Sequence, residues 1–156
     1  MSDAVMELQL ADPEATAALG QRMAATRPPQ AVVYLRGDLG AGKSTLARAL
    51  LRALGVGGTI RSPTYTLVER YPLADGSEAW HLDLYRIADA GELEYLGLDA
   101  DEVGLWLVEW AERGAGALPR ADLVVELAVE GDGRRAHLVP ASAVGAAWLG
   151  ALHPRA

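Results

Sequence analysis

The sequence predicts an α/β domain in three layers around a central mixed sheet that is mainly parallel. Apolar, β-branched runs typical of buried strands alternate with stretches whose apolar residues recur at helical spacing, and this alternation indicates an α/β fold. Near the C-terminal end, two strand-like runs flank Gly131-Asp132-Gly133 and predict a hairpin, which makes the sheet mixed. The chain has 156 residues, 51% of them hydrophobic, and therefore suits one domain over residues 1–156.

Local signals place each element in turn. Asp12 followed by Pro13 predicts a helix start with Asp12 as N-cap, and this helix is expected to stop before Pro28. Leu46, Leu50 and Leu54 mark a second helix. In the first half of the chain the predicted elements are a strand at 5–10, the Pro13 helix, a buried strand from Ala31, a loop at 37–42 and a helix at 43–54. A strand at 65–71, a turn at 72–76 and a strand around Asp83 follow. The remaining elements are a short acidic helix and loop over 88–103, a strand at 104–110, the hairpin and a closing helix at 141–149.

The stretch GDLGAGKST matches the phosphate-binding pattern GxxxxGK[ST] in every fixed position, between a predicted strand and an amphipathic helix. Glycines let backbone N–H groups curve around an anion, and the helix N-terminus adds its dipole. Lys43, the sole lysine, is expected to reach the β- and γ-phosphates, Ser44 to ligate Mg²⁺ and Thr45 to contact the phosphate nearer the sugar. This context predicts a P-loop NTPase-like fold. The predicted nucleotide-binding loop residues are Gly37, Asp38, Leu39, Gly40, Ala41, Gly42, Lys43, Ser44 and Thr45.

The expected nucleotide is ATP. A typical GTPase reads guanine with an Asn-Lys-x-Asp element, which this chain cannot contain because it has no asparagine and no second lysine. ATP is therefore favoured by elimination. The net charge of −7 argues against independent binding of nucleic acid, because domains that neutralise many phosphates are usually basic. A partner protein, or a small ligand carried with a metal ion, fits this charge better.

An NTPase of this kind also needs a carboxylate at a strand end to hold the metal and its water. Asp83 in HLDLYR and Glu109 at the end of the apolar run LWLVEW are the two candidates. The residues alone leave open which of them contacts Mg²⁺ directly and which acts through water or as a base. The segment SPTYT, residues 62–66, lies where P-loop proteins often have a loop that senses the γ-phosphate, so its hydroxyls are candidates to hold the attacking water.

Four segments, GDLGAGKST, SPTYTLVERY, HLDLYR and LVEW, in this order and at these spacings, resemble the bacterial ATPase family of tRNA threonylcarbamoyladenosine biosynthesis, called TsaE and formerly YjeE. The likeness covers the chain from about Asp12 to Arg135. The resemblance implies an ATP hydrolase that is slow alone. It also implies that the protein binds a two-subunit threonylcarbamoyl transferase of the TsaB–TsaD type. Hydrolysis would reset that complex during formation of N6-threonylcarbamoyladenosine at position 37 of tRNA, with tRNA contacted only through the complex.

The resemblance also implies roles for single residues. Ser44 stands where the family usually has threonine, a change that keeps the hydroxyl ligand. The family has an arginine that reaches the nucleotide, and either Arg134 or Arg135 could match it because the two are adjacent. Arg134 is the expected match. The implied residues are Lys43, Asp83, Thr64 and Thr66 for catalysis, Ser44, Glu109 and Asp83 for Mg²⁺, and Trp110 and Arg134 beside the nucleotide.

Two other functions stay open from the residues. One is a small-molecule or nucleotide kinase, which usually has clustered arginines in a lid, whereas Arg134-Arg135 is the only adjacent arginine pair in this sequence. The other is a nucleotide-dependent interaction module with very slow turnover. The chain has no cysteine, which excludes disulfides and thiol catalysis. With no secretory signal pattern and no apolar run of the ~20 residues that a membrane helix needs, a cytoplasmic protein is expected.

Overall fold

The computed structural model describes residues 5–38, 40–64, 66–87, 91–93 and 103–152. The predicted acidic helix and loop over 88–103 lies mostly outside these residues. A short 3₁₀ helix, Ala111–Gly114, follows the fifth strand. The strands and helices are β1 (Met6–Leu10), α1 (Pro13–Thr26), β2 (Ala31–Arg36), α2 (Lys43–Ala53), β3 (Val68–Pro72), β4 (Glu78–Asp83), β5 (Val103–Glu109), β6 (Leu123–Glu130), β7 (Gly133–Pro140) and α3 (Ala143–Leu152).

The strands form one seven-stranded sheet in the order β1-β7-β6-β2-β5-β4-β3. The central strands β6, β2, β5 and β4 pair in parallel, and antiparallel pairs extend the sheet at both edges. The predicted α/β fold with a mixed sheet and a parallel core is therefore confirmed, as is the hairpin of β6 and β7. Because β2, β4 and β5 run in the same direction, their carboxyl ends meet at one edge of the sheet, where sites form in such folds.

Alternate residues of the central strands face opposite layers, as the two-residue period of a strand requires. On one face Val33 and Leu107 pack with buried residues of α1, α2 and α3. On the other face Trp106 and Val108 pack against Leu84 and the chain around the 3₁₀ helix. Within the described part of the chain, the helices thus form one outer layer and loops with the 3₁₀ helix form the other.

The start of α1 follows its sequence signal closely. Asp12 is the N-cap, with its side-chain Oδ1 accepting the N–H of Ala15 at 2.8 Å, and Pro13 is the first helical residue. The helix ends at Thr26, before Pro28, as predicted. None of the helices in the described ranges is both long and apolar enough to span a membrane.

The third strand begins later than the sequence indicated. A strand was expected over residues 65–71, but β3 starts at Val68. The N–H of Leu67 donates to the carbonyl of Pro63 at 2.9 Å, which closes a turn, and Leu67 has a left-handed φ of 74° that a strand cannot contain. The carbonyl of Leu67 accepts the N–H of Asp83 at 3.0 Å. The predicted boundary was therefore wrong, because this turn overrides the local β propensity.

A close approach between α3 and the loop before β6 gives a stability prediction. A Cβ added at Gly145 would lie 1.6 Å from the carbonyl oxygen of Asp122. That oxygen accepts the N–H of Ala141 at 2.8 Å, and the Asp122 side chain accepts the N–H of Val32 at 2.8 Å, so the loop is held in place. We expect Gly145→Ala to lower the free energy of unfolding by about 3 kcal/mol, measured by urea denaturation.

The matched control for that substitution is Gly150→Ala in the same helix, where an added Cβ meets nothing within 4 Å. Alanine favours a helix over glycine by up to about 1 kcal/mol, so this variant should be as stable as the parent or slightly more stable. Equal effects at Gly145 and Gly150 would contradict the close approach to Asp122.

Candidate functional site

A cleft of about 600 Å³ opens at the sheet edge where β4 and β5 end and α2 begins. It brings together the start of α2, the loop before β3, the ends of β4 and β5 and the start of β7. Most residues that the sequence singled out therefore meet at one place. The cleft is lined by Gly40, Gly42, Lys43, Ser44, Thr45, Ser62, Thr64, Asp83, Tyr85, Arg86, Glu109, Trp110 and Arg134.

Some of the predicted site residues do not line the cleft. Ala41 belongs to the loop, but it is buried. Gly37 has a left-handed φ of 149° and backs onto β6, where an added Cβ would lie 2.5 Å from a backbone oxygen. Asp38 accepts the N–H of Ala41 at 3.0 Å through its carbonyl, within the loop. Thr66 is exposed and away from the cleft wall. Leu39 lies outside the described residues.

The start of α2 has the features of an anion site. Gly42 is its N-cap, with a left-handed φ of 105° and no side-chain cap hydrogen bond. A helix start without a side-chain cap keeps its unpaired N–H groups and the positive end of its dipole for an anion. Lys43 is the first residue of the helix, and its Nζ lies 5.8 Å from the centre of the Trp110 ring. A cation and free backbone donors thus face the same cleft.

The two candidate carboxylates stand side by side. Asp83 and Glu109 are register partners at the ends of the parallel strands β4 and β5, so their side chains leave the same face of the sheet. The sequence suggested that Asp83 lies inside its strand, but β4 ends there. Its Oδ1 accepts the N–H of Tyr85 at 3.0 Å, which turns the chain away from the sheet.

Glu109 is a buried carboxylate, 7% exposed, with two cationic or hydrogen-bonding neighbours. Its Oε2 lies 2.8 Å from Nε2 of His81, and its Oε1 lies 3.5 Å from Nζ of Lys43. Burial raises the pKa of Glu109, but the hydrogen bond and charge of His81 and the charge of Lys43 outweigh it and hold the pKa below its ordinary value. Glu109 is therefore ionised at neutral pH, the state that a metal ligand needs.

The arginine register that the sequence left open is resolved by the hairpin. Arg134 lines the cleft and donates from Nη2 to the carbonyl of Gly40 at 3.0 Å, which ties β7 to the phosphate-binding loop. Arg135 points to the other side, where it pairs with Glu7 and Glu130 on the sheet surface. Of the two arginines, Arg134 is therefore the one that faces the cleft.

Sequence reasoning named Trp110 but missed its aromatic partner Tyr85 at the mouth of the cleft. The rings of Tyr85 and Trp110 lie 4.9 Å apart at 59°, and the guanidinium of Arg113 lies 5.3 Å from the centre of the Tyr85 ring. Trp110 has a left-handed φ of 58°, which is costly for a residue with a side chain and is typical of functional sites. Tyr85 and Arg86 lie two and three residues after Asp83. Their position just beyond a strand that ends in a carboxylate could have predicted that they lie near the site.

The donor set fits a magnesium ion held together with a nucleotide. Mg²⁺ is usually bound through one or two carboxylates, substrate phosphates and waters, without a cage made only of protein groups. Consistent with this, no cluster of three or more His, Asp or Glu side chains suited to a metal occurs in the described part of the chain. Ser44, Asp83 and Glu109 supply one hydroxyl and two carboxylates beside the anion site.

Comparisons with known proteins find relatives that match most of this chain. The family model of the threonylcarbamoyl adenosine biosynthesis protein TsaE matches residues 10–137. The chain is 46% identical over 118 residues to the tRNA threonylcarbamoyladenosine biosynthesis protein TsaE of Haemophilus influenzae, covering 73% of each chain. It is 36% identical over 131 residues to that of Aquifex aeolicus, covering 83% of this chain and 91% of the relative. The crystal structure of YdiB from Bacillus subtilis matches with a TM-score of 0.77 and 27% identity, over 97% of this chain and 96% of that one.

The buried carboxylate predicts a pH dependence of stability. Because the folded-state pKa of Glu109 lies below its ordinary value of 4.5, the ionised carboxylate stabilises the fold above that pH, and this contribution is lost as the pH falls through the folded-state pKa. Glu109→Gln removes the contribution. We expect the difference in unfolding free energy between parent and variant to shrink as the pH is lowered from about 5, measured by urea denaturation. A difference that stays constant with pH would contradict this assignment.

Proposed function

The chain belongs to the TsaE family of threonylcarbamoyl adenosine biosynthesis proteins, and from that premise we propose that it is a Mg²⁺-dependent ATPase acting in tRNA threonylcarbamoyladenosine formation. One observation carries the ATPase proposal. The lysine of the phosphate-binding loop and the carboxylate that ends β5 lie 3.5 Å apart in one cleft, and a second carboxylate stands in register beside the first. This is the set of groups that phosphoryl chemistry needs.

The binding roles follow from position. The N–H groups at the start of α2 and the ammonium of Lys43 hold the β- and γ-phosphates of ATP. Ser44 and Glu109 would hold Mg²⁺, which would supply positive charge that stabilises the phosphates. Arg134, anchored at the carbonyl of Gly40, lies where it can contact the nucleotide, and Trp110 borders the same space.

Asp83 is the candidate for the chemical step. It lies beside Glu109 but has no ion pair among the described residues, and it is less buried than Glu109. We assign it to orienting the attacking water and accepting its proton. Ser62 and Thr64 line the same cleft with their hydroxyls 2.7 Å apart, and we assign them to holding that water.

The proposed partner is a two-subunit threonylcarbamoyl transferase of the TsaB–TsaD type, with tRNA reached through that complex. The names of the relatives support a role in this modification. The net charge of −7 disfavours direct binding of tRNA phosphates. Exposed Tyr85 and Trp110 border the nucleotide cleft, and such side chains are enriched in protein interfaces. Hydrolysis in the cleft would therefore change a surface that a partner can contact.

Three alanine substitutions test this division of roles. Lys43→Ala and Glu109→Ala should abolish ATP turnover and weaken Mg-nucleotide binding, because they remove the phosphate and metal contacts. Asp83→Ala should lower turnover by at least about 100-fold while keeping much of the nucleotide affinity. The measurements are release of inorganic phosphate and calorimetric titration with a non-hydrolysable ATP analogue.

The matched control is Arg135→Ala, which removes the arginine next to Arg134 but touches only the surface ion pairs with Glu7 and Glu130. It should leave turnover and affinity unchanged. Equal loss of nucleotide binding in all three site variants would contradict the division of roles. Phosphate appearing on a small-molecule acceptor, in place of inorganic phosphate, would favour the kinase alternative.

A further inference from the structure

His81 is a buried polar side chain without a role in the chemistry above. It lies in the centre of β4 with 3% of its surface exposed. Its Nε2 lies 2.8 Å from Oε2 of Glu109, while its Nδ1 is buried and has no hydrogen-bond partner among the described residues. Burying an imidazole nitrogen without a partner is unfavourable, so packing alone does not account for a histidine at this position.

The direction of the hydrogen bond follows from the charge of its partner. A glutamate that ligates a metal is a carboxylate, and a carboxylate can only accept hydrogen bonds, here across the 2.8 Å between Oε2 and Nε2. Nε2 of His81 therefore carries the proton and donates it to Oε2. The other carboxylate oxygen, Oε1, lies on the side of Lys43 at the cleft.

The strand geometry makes this contact rigid. Asp83 is the register partner of Glu109, and His81 lies two residues before Asp83 on the same strand. Because side chains alternate along a strand, His81, Asp83 and Glu109 all leave the face that packs against α2. The sheet thus holds His81 and Glu109 on one face, where Nε2 and Oε2 meet at 2.8 Å.

We propose that His81 is a positioning residue for the metal ligand Glu109. By holding Oε2, it leaves Oε1 turned toward the cleft as the oxygen offered to Mg²⁺. This inference rests on the proposed Mg²⁺-ATPase function. Hydrogen-bond partners of metal ligands typically change metal affinity by about 10- to 100-fold, which sets the expected size of the effect.

Lys43 cannot replace His81 in this task. Its Nζ lies 3.5 Å from Oε1, longer than an ordinary charged hydrogen bond. In the proposed function the same ammonium turns to the phosphates when the nucleotide is bound. His81 is then the neighbour of Glu109 that keeps the carboxylate in one orientation.

The experiment compares His81→Leu, which removes the donor, with His81→Gln, whose side-chain amide can place an N–H near the position of Nε2. Two quantities are measured on the full chain. The first is its affinity for a non-hydrolysable ATP analogue with EDTA present. The second is the Mg²⁺ concentration at which Mg²⁺ produces half of its full increase in that affinity. The control is Leu152→Ala, which opens the core in α3 away from the cleft. Should the leucine variant not fold, His81→Asn replaces it, because its shorter amide does not reach Oε2.

We expect His81→Leu to raise the Mg²⁺ requirement by about 10- to 100-fold while affinity in EDTA stays within about threefold of the parent. His81→Gln and Leu152→Ala should keep the parent Mg²⁺ requirement. A leucine variant with the parent requirement, or with equal loss in EDTA and in Mg²⁺, would overturn the positioning role. A parent protein whose nucleotide affinity is indifferent to Mg²⁺ would overturn the proposed function itself, which distinguishes the two failures.

Discussion

The site depends on one buried negative charge, the carboxylate of Glu109. A buried carboxylate is costly unless it is paired and hydrogen-bonded, and here His81 and Lys43 supply those partners from a neighbouring strand and from the start of α2. The charge therefore holds the Lys43 ammonium near the end of the parallel sheet. The same arrangement places the proposed metal ligand beside the proposed phosphate-binding lysine.

Backbone strain surrounds this charge. Gly42, Leu67 and Trp110 all have left-handed φ values, of 105°, 74° and 58°, and each lies at or next to an element that borders the cleft. Glycine accepts this conformation freely, whereas for leucine and tryptophan it costs about 1–3 kcal/mol. Each of these residues stands at the boundary of an element, so the left-handed conformations lie where the geometry of the site is set.

Local signals in the sequence predicted much of the fold. The N-cap at Asp12, the apolar run that became β2, the glycine loop and the hairpin each depend on a few adjacent residues, and all are present in the structure. The start of β3 was missed because it depends on two contacts. One is the turn closed by the Pro63 carbonyl, and the other is the hydrogen bond between Leu67 and Asp83, which are sixteen residues apart in the sequence. Periodicity does not record such contacts.

The site was predicted less completely than the fold, for the same physical reason. Both carboxylates were recognised as strand-end candidates, but their pairing in register and the contact of His81 with Glu109 exist only once β4 and β5 lie side by side. The choice between Arg134 and Arg135 likewise depends on the twist and register of the hairpin, which decide which side chain faces the phosphate-binding loop.

In the proposed function this cleft hydrolyses ATP in the service of a partner. The most direct test is the rate of phosphate release by the full chain, measured alone and with the two-subunit threonylcarbamoyl transferase, with the Asp83→Asn variant as the blank. We expect slow release by the chain alone, clear stimulation by the transferase and no stimulation of the blank. Release that the transferase leaves unchanged, or that persists in the blank, would contradict it.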